Sequence, residues 1–330
     1  MAEQAVPIPL IVGLGEAMLR LSTRGATPLA SAREFGVHVA GAELNLLIAA
    51  TALGARGRWV TRLPANELGT MMRRHALSYG IEVAAIDEAE GRAGLFFFEP
   101  GTPPRPSTVL YDRAGSAPSH LSPTDFAWDQ VLAGASGAHV TGITCALGTG
   151  PLEAAIAFLG AARSLGVLTS FDMNYRAQLW SLTAAHEAYR RIMPLVDTLF
   201  VAPNDLTMLM GSHDDEELLG TRLCEEYGVQ TLVIREREEI SLDELGVRVR
   251  VLGAFDAPAT ASGHVVDELG AGDAAAGAFL SSMLLGDPSA LSAERCARAY
   301  ARMLTIPGDS WSGSIRDLTE GYVTHRKVVR

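Results

Sequence analysis

Val265-Val266-Asp267-Glu268-Leu269-Gly270-Ala271-Gly272-Asp273 runs directly into Ala274-Ala275-Ala276-Gly277-Ala278-Phe279-Leu280, and the reading of this stretch decides the fold. Its two glycines before the helix let the backbone turn tightly and approach a ligand closely. The helix that opens behind them aims unpaired N–H groups at the same point. Such a corner holds phosphate. Asp273 falls in the first helical turn, where a carboxylate beside a bound anion can orient or deprotonate an attacking hydroxyl. The combination points to phosphoryl transfer. Two other readings use the same letters. A glycine-rich strand-to-helix turn with Asp273 as a favourable first-turn acid needs no ligand. The G-x-G-x-x-G/A dinucleotide pattern fits Gly270 to Ala275, but it should open a βαβ unit with an acid about 20 residues further on. Pro288 and a second alanine-rich helix follow instead, which disfavours a nicotinamide site.

The stretch resembles the carboxy-terminal signature of the PfkB/ribokinase family of sugar kinases, commonly D-T-x-G-A-G-D. The resemblance implies that Asp273 takes the proton from the sugar hydroxyl and that the amides of Gly270, Ala271, Gly272 and Asp273 form an anion hole. Glu268-Leu269 replace the usual small polar pair, while the glycines and the aspartate remain.

Toward the C-terminus, 292–304 reads as a helix, and Thr305-Ile306-Pro307-Gly308-Asp309 follows. By itself this is a proline-glycine turn. It also resembles the T-I-P-G-D tail of ketodeoxygluconate kinases, which implies that Pro307 lies near the adenine. The segment 316–330 is a polar tail with no evident role. On the N-terminal side, Val233-Ile234-Arg235-Glu236-Arg237-Glu238-Glu239 lacks the glycines that many family members place against ATP. It resembles instead an L-R-E-S segment with Arg237 in place of the serine, which makes Arg235 a nucleotide-binding candidate. The turn Asn204-Asp205-Leu206-Thr207 matches the family's N-x-x-E, linked to Mg²⁺ and phosphate through water, at Asn204 but not at Thr207. Asp205 is a substitute for the glutamate, though its side chain is expected to point elsewhere. No residue is assigned as a direct metal ligand.

Apolar strands at 167–171 and 198–201 alternate with a helix over 152–165, as in a parallel sheet covered on both faces. Ligands gather beyond the carboxyl ends of such strands. Asp172, Asn204 and the Gly270 corner all fall at that edge. Phe171-Asp172-Met173-Asn174-Tyr175-Arg176-Ala177-Gln178-Leu179-Trp180 reads as a capped turn and short helix, and it closely resembles F-D-x-N-Y-R-x-x-L-W of ketodeoxygluconate kinases. That resemblance makes Asp172, Asn174 and Arg176 substrate residues, with the arginine on the sugar-acid carboxylate. A planar guanidinium suits a carboxylate because it donates two parallel hydrogen bonds.

The first half repeats the strand-helix rhythm, with a buried strand over 8–13, a helix over 46–53 and a helix over 67–79. Glu43 and Asn45 are the polar exceptions at the start of the first helix, and spacing alone makes them helix caps. The family carries a sugar-contacting G-G-x-x-x-N motif here, matched by Gly41 and Asn45 but not by Ala40. From 91 to 119 the pattern changes to two strands around a proline-rich turn, a β flap. Tyr111 and Arg113 are two apart and face one side of a strand while Asp112 faces the other. By spacing alone Arg113 is a surface arginine, whereas the surrounding segment, 105–117, resembles the one that presents Tyr and Arg to substrate in 2-keto-3-deoxygluconate kinases.

A chain of 330 residues with 48% hydrophobic content has material for a sizeable core. Its net charge of −11 argues against nucleic-acid or anionic-membrane surfaces, which need basic patches. Cys145, Cys224 and Cys296 are odd in number and far apart, so they make neither a disulfide framework nor a zinc motif and are expected as buried thiols. The first residues lack a basic n-region, and no apolar run is long enough to span a bilayer, so the cytoplasm is the expected compartment.

Five motifs in family order, from Gly41 to Asp309, give one expectation: a single ribokinase-like domain over 1–330. It has a doubly wound, mostly parallel sheet with helices on both faces and a small β lid from about 15–40 and 91–118. The expected activity is ATP- and Mg²⁺-dependent phosphorylation of the terminal hydroxyl of 2-keto-3-deoxygluconate or a related sugar acid. Kinases of fructose or 5-keto-2-deoxygluconate, and a sugar- or nucleotide-binding protein without transfer, are the alternatives. A homodimer through the lid is the expected assembly.

Overall fold

The computed structural model describes residues 7–319, except 26, 103, 213, 242 and 253–257. The polar tail read from 316 lies outside the described residues from 320 onward; before that, Arg316–Thr319 is a short helix with Leu318 buried. Thirteen strands are described: β1 (Leu10–Leu14), β2 (Met18–Ser22), β3 (Gly36–Ala40), β4 (Arg56–Pro64), β5 (Glu82–Glu88), β6 (Gly94–Glu99), β7 (Thr108–Asp112), β8 (Gly137–Thr141), β9 (Leu168–Asp172), β10 (Thr198–Val201), β11 (Thr231–Ser241), β12 (Glu244–Val251) and β13 (Ala259–His264).

Nine strands make one sheet in the order β13-β12-β11-β10-β9-β8-β1-β4-β5. From β5 through β11 every pairing is parallel, and only the β11–β12 and β12–β13 pairings are antiparallel. The parallel strands are short apolar runs because both of their faces are covered. In β1 all five residues are buried, with Ile11 entering one core and Val12 the other. The first core holds the helices Ala42–Ala52, Ala271–Leu284 and Ser289–Met303, and the second holds Thr149–Ser164 and Leu182–Ile192. The expected doubly wound architecture is therefore present. The hairpin β11–β12 was not expected, and it is supported across its strands by Arg248 bridging Glu236 and Glu238.

The order β3-β2-β6-β7 defines a second, four-stranded sheet in which only β2 and β6 run parallel. Met18, Ala40, Phe96 and Phe98 form its small core, and Leu269 from the glycine corner packs against them. Leu269, a departure from the family signature, thus seats this sheet on the corner.

Two contacts set the site. Gly277 lies where an added Cβ would come within 2.4 Å of the Leu46 carbonyl. Its bare backbone lets the helices Ala42–Ala52 and Ala271–Leu284 pack at close range. Arg20 of β2 is 2% exposed; it donates to Asp267 at 2.6 Å, to Asp309 at 3.1 Å and to the Ser22 hydroxyl at 2.7 Å, and its guanidinium lies 4.3 Å from the Phe98 ring centre. One buried cation therefore ties the small sheet to both the corner and the 305–309 tail. Substituting Arg20→Met leaves two buried carboxylates without their counterion, and urea unfolding is expected to show a loss of about 3–5 kcal/mol. A loss within 1 kcal/mol, a rough margin for a surface pair, would mean that the triad does not organise the fold.

Candidate active site

The corner is built as its letters suggest. Gly270 adopts a left-handed φ of 80° and caps the helix Ala271–Leu284, and a Cβ there would meet the Asp309 carbonyl at 2.4 Å. Only glycine satisfies both demands. Asp267 holds the approach to the turn, accepting from the Leu269 and Gly308 amides as well as from Arg20. Asp273 sits in the first helical turn, where Asn45 donates to its Oδ2 at 2.8 Å. Burial is the main force that raises the Asp273 pKa, to about 6, with a further push from Asp172. The Asn45 bond and the charges of Arg176 and Arg235 act the other way. At neutral pH the carboxylate is ionised yet close enough to neutrality to accept a proton, which suits a general base.

Asn45 is 3% exposed, and its Oδ1 has no partner. A buried acceptor in that state is open to a donor from water or a ligand. Glu43, expected to cap its helix along with Asn45, does not do so: the cap position is Gly41, without a side-chain bond. The Glu43 carboxylate instead crosses to β8, where Oε1 accepts from the Thr141 amide, the Thr141 hydroxyl and the Thr144 hydroxyl. Its burial raises its pKa to about 7. Gly41 has a steric reason to be glycine, because a Cβ would come within 2.3 Å of the Glu16 carbonyl.

Asp172 ends β9, and its Oδ2 accepts from Arg235 at 2.6 Å; Arg235 also donates to the Gly272 carbonyl at 2.6 Å. Asp172 and the Gly270–Asp273 turn, two of the three features expected at the shared sheet edge, are thus linked through Arg235. In the following loop Asn174 has a φ of 39°. It is the one non-glycine in left-handed backbone among the described residues, and such strain collects at functional sites. Tyr175 donates to the Trp180 carbonyl and Tyr189 to the Met173 carbonyl, which fixes the loop and leaves Arg176 exposed.

Asp205 is half-buried on the helix Pro203–Met210, and burial, with Asp172 adding to it, raises its pKa to about 6. Thr207 turns away, its hydroxyl donating to the Pro203 carbonyl, and Asn204 is exposed. Among the described residues no group of three or more His, Cys, Asp or Glu side chains is arranged to hold a metal ion. Cys145 and Cys296 are buried thiols as expected, while Cys224 is half-buried.

The Tyr111–Arg113 side of the flap is arranged as strand alternation requires, with Arg113 5.8 Å from the centre of the Tyr111 ring and Asp112 turned to Arg92. The partner of Arg113 was not evident from sequence. Glu16, 4% exposed, accepts from Arg113 and from the Ser116 hydroxyl. The Arg113 side chain is nine-tenths buried, and its Nε has no partner. In the 305–309 tail, Pro307 is exposed, whereas Gly308 and Asp309 are taken up by Asp267 and Arg20.

A buried carboxylate at a glycine corner, with a small second sheet seated beside a doubly wound core, is the arrangement of a ribokinase-like fold. Residues 9–305 match the profile of the pfkB family of carbohydrate kinases. The chain is 32% identical to the 2-dehydro-3-deoxygalactonokinase of Haloferax volcanii over 91% of its length and 92% of that protein. It is also 32% identical to the 2-dehydro-3-deoxygluconokinase of Thermoproteus tenax, over 93% and 92% of the two chains. The crystal structure of the 2-dehydro-3-deoxygluconokinase of Thermotoga maritima superposes with a TM-score of 0.88 at 33% identity, covering 95% of this chain and 98% of that one. The chain belongs to the pfkB family and is a sugar kinase.

Because Asn45 lowers the Asp273 pKa, Asn45→Ala is expected to move the acidic limb of the kcat/KM profile to higher pH than the wild-type limb near about 6. A pH–rate profile with an unmoved limb would show that this contact does not tune the base.

Proposed function

We propose that the protein transfers the γ-phosphoryl group of ATP to the terminal hydroxyl of a 2-keto-3-deoxy sugar acid, 2-keto-3-deoxygluconate or a close relative. The observation that carries this reading is the pairing of one near-neutral carboxylate with arginines that retain unused donors. Asp273 lies within the electrostatic reach of Arg176, which is exposed on a fixed loop. Arg113 keeps a buried, unpartnered Nε and is anchored by Glu16, whose backbone abuts Gly41 at the head of the Asn45 helix. A substrate that bears a carboxylate at one end and a hydroxyl at the other satisfies both. The relatives named for 2-dehydro-3-deoxy sugar acids support the same substrate class.

Asp273 accepts the hydroxyl proton as the sugar oxygen bonds to the γ-phosphorus and the bond to the bridging oxygen of ADP breaks. Asn45 holds the carboxylate through Nδ2 and offers Oδ1 to a second substrate hydroxyl. The amides of Gly270 to Asp273 face the charge that develops on the phosphoryl oxygens. Asp205, with Asn204 on the same turn, would hold magnesium carried by the nucleotide through water, and the ion would supply neutralisation of phosphate charge. Arg235, which holds the Gly272 carbonyl, serves as a nucleotide-side cation, and the family resemblance supports a position for Pro307 near the adenine. The small sheet acts as a lid that excludes water from the transfer. Its outer face exposes Val37 and Leu110, aligned through Leu21 and Phe97, an apolar area suited to a second copy of the chain.

Asp273→Asn keeps the shape and removes the base, so kcat is expected to fall by roughly 10²–10⁴-fold while ATP affinity is retained. Unchanged turnover would remove Asp273 from the mechanism. Arg176→Gln, and Arg113→Lys chosen to preserve the charge opposite Glu16, are expected to raise KM for a sugar acid by roughly tenfold or more and to leave neutral sugars nearly unaffected. Equal losses for acid and neutral sugars in steady-state assays would rule out carboxylate recognition.

A further inference from the structure

Two polar side chains, Glu43 and Asn45, stand in the first turn of the otherwise apolar start of the helix Ala42–Ala52. Every residue from Glu43 to Ala50 is buried. Apolar packing therefore surrounds the helix and does little to choose its rotation about its own axis. A buried polar group can fix register where apolar packing leaves it open. Residues two apart lie about 200° apart around a helix, so these two reach in nearly opposite directions. Asn45 meets Asp273 at 2.8 Å. Glu43 reaches the end of β8, where its Oε1 accepts from the Thr141 amide at 2.9 Å and from the Thr141 and Thr144 hydroxyls at 2.8 Å each.

The other carboxylate oxygen, Oε2, faces backbone that is bare for it. A Cβ on Gly15 would strike the Glu43 carboxylate, and one on Gly13 would come within 3.1 Å of the Leu47 side chain one turn further along the same helix. Gly15 is itself held: its amide donates to the Val60 carbonyl and its carbonyl accepts from the buried Trp59 indole, both at 3.1 Å. The carboxylate is thus clasped between Gly15 and the Thr141–Thr144 turn. The setting is unfavourable for an acid. Glu43 is 1% exposed, among the described residues no ion pair reaches it, and hydroxyls and amides alone favour its charged form. Its charge raises the pKa of the neighbouring Cys145 thiol further. An apolar side chain would cost less to bury. Because the N-cap, Gly41, makes no side-chain bond, the cross-link from Glu43 does the holding that a cap would do.

We propose that Glu43 is a positioning residue for phosphoryl transfer: it sets the rotation of the Ala42–Ala52 helix and so keeps Asn45 on the Asp273 carboxylate. The clasp at Gly15 and Thr141–Thr144 fixes one side of the first turn, and the Asn45 bond to the base leaves from the other. This proposal rests on the reading of Asp273 as the base of a sugar-acid kinase.

Profiles of kcat/KM against pH, measured on the full chain with 2-keto-3-deoxygluconate and ATP·Mg²⁺, test it. Glu43→Ala is expected to lower kcat/KM at pH 7 by about tenfold or more and to move the acidic limb to higher pH, the direction expected of Asn45→Ala. In the double variant Glu43→Ala/Asn45→Ala the limb should move no further than in Asn45→Ala alone, because both substitutions remove the same contact. Glu43→Gln keeps an acceptor at Oε1 and should return the limb to its wild-type position. Should Glu43→Ala fail to fold, Thr144→Val takes its place, removing one donor to Oε1 while keeping the shape, with a smaller shift in the same direction. An unmoved limb in the variant tested, additive shifts in the double variant, or a limb that disappears in Glu43→Gln would overturn the positioning role, the last by assigning the titration to Glu43 itself. Full activity in Asp273→Asn, or a wild-type protein inert toward the sugar acid, would instead overturn the reading on which the proposal rests.

Discussion

A guanidinium buried between two carboxylates holds this molecule in its working arrangement. Arg20 belongs to the small sheet, Asp267 opens the glycine corner and Asp309 closes the 305–309 tail, so three segments far apart in sequence meet on one charge. Burial pushes the Asp309 pKa up to about 7 even with Arg20 alongside it. Such a group is unfavourable to bury alone, and removing the cation leaves the carboxylates without compensation. Asp267 in turn fixes the Leu269 and Gly308 amides. The direction in which the corner presents its own amides follows from that chain of contacts.

The catalytic chemistry depends on close packing as much as on charge. Without a side chain at Gly277, the two helices approach until the first turn of one faces the first turn of the other, and Asn45 reaches Asp273 across that contact. Around them, the charges of Asp172, Arg176 and Arg235 act on both Asp205 and Asp273. The balance leaves the Asp273 pKa at about 6, above the ordinary carboxylate range. Ionisation of these buried acids has a cost in stability as well. Acids whose pKa is raised by folding, Glu43 and Asp273 among them, bind more protons folded than unfolded between about pH 4 and about pH 7, so their contribution declines as pH rises through that window.

Much of this was legible in the sequence, and the reasons are physical. Short apolar runs alternating with helices specify a covered parallel sheet, because strands buried on both faces admit little else. The glycine corner was legible because its backbone requirements restrict residue choice locally. Relations between distant segments left no local trace. Arg20, Glu16 and Asp309 are single charges in ordinary surroundings, and only folding shows that each is buried against a partner. Glu43 did stand out in an apolar helix, but the spacing suggested a cap where the structure has a cross-link to β8. The β11–β12 hairpin was obscured because its charged run resembles a loop, whereas in the fold its arginines and glutamates pair across the strands and with the corner.

The claim at the centre of this account is that one carboxylate and two arginines read opposite ends of the same sugar acid. A crystal structure of the protein with 2-keto-3-deoxygluconate and a non-hydrolysable ATP analogue tests it most directly. The account places the terminal hydroxyl within about 2.6–3.2 Å of the Asp273 carboxylate, with the sugar carboxylate on Arg113 and Arg176 and the γ-phosphate at the Gly270 turn. A bound sugar whose carboxylate faces neither arginine, or whose terminal hydroxyl lies away from Asp273, would contradict it.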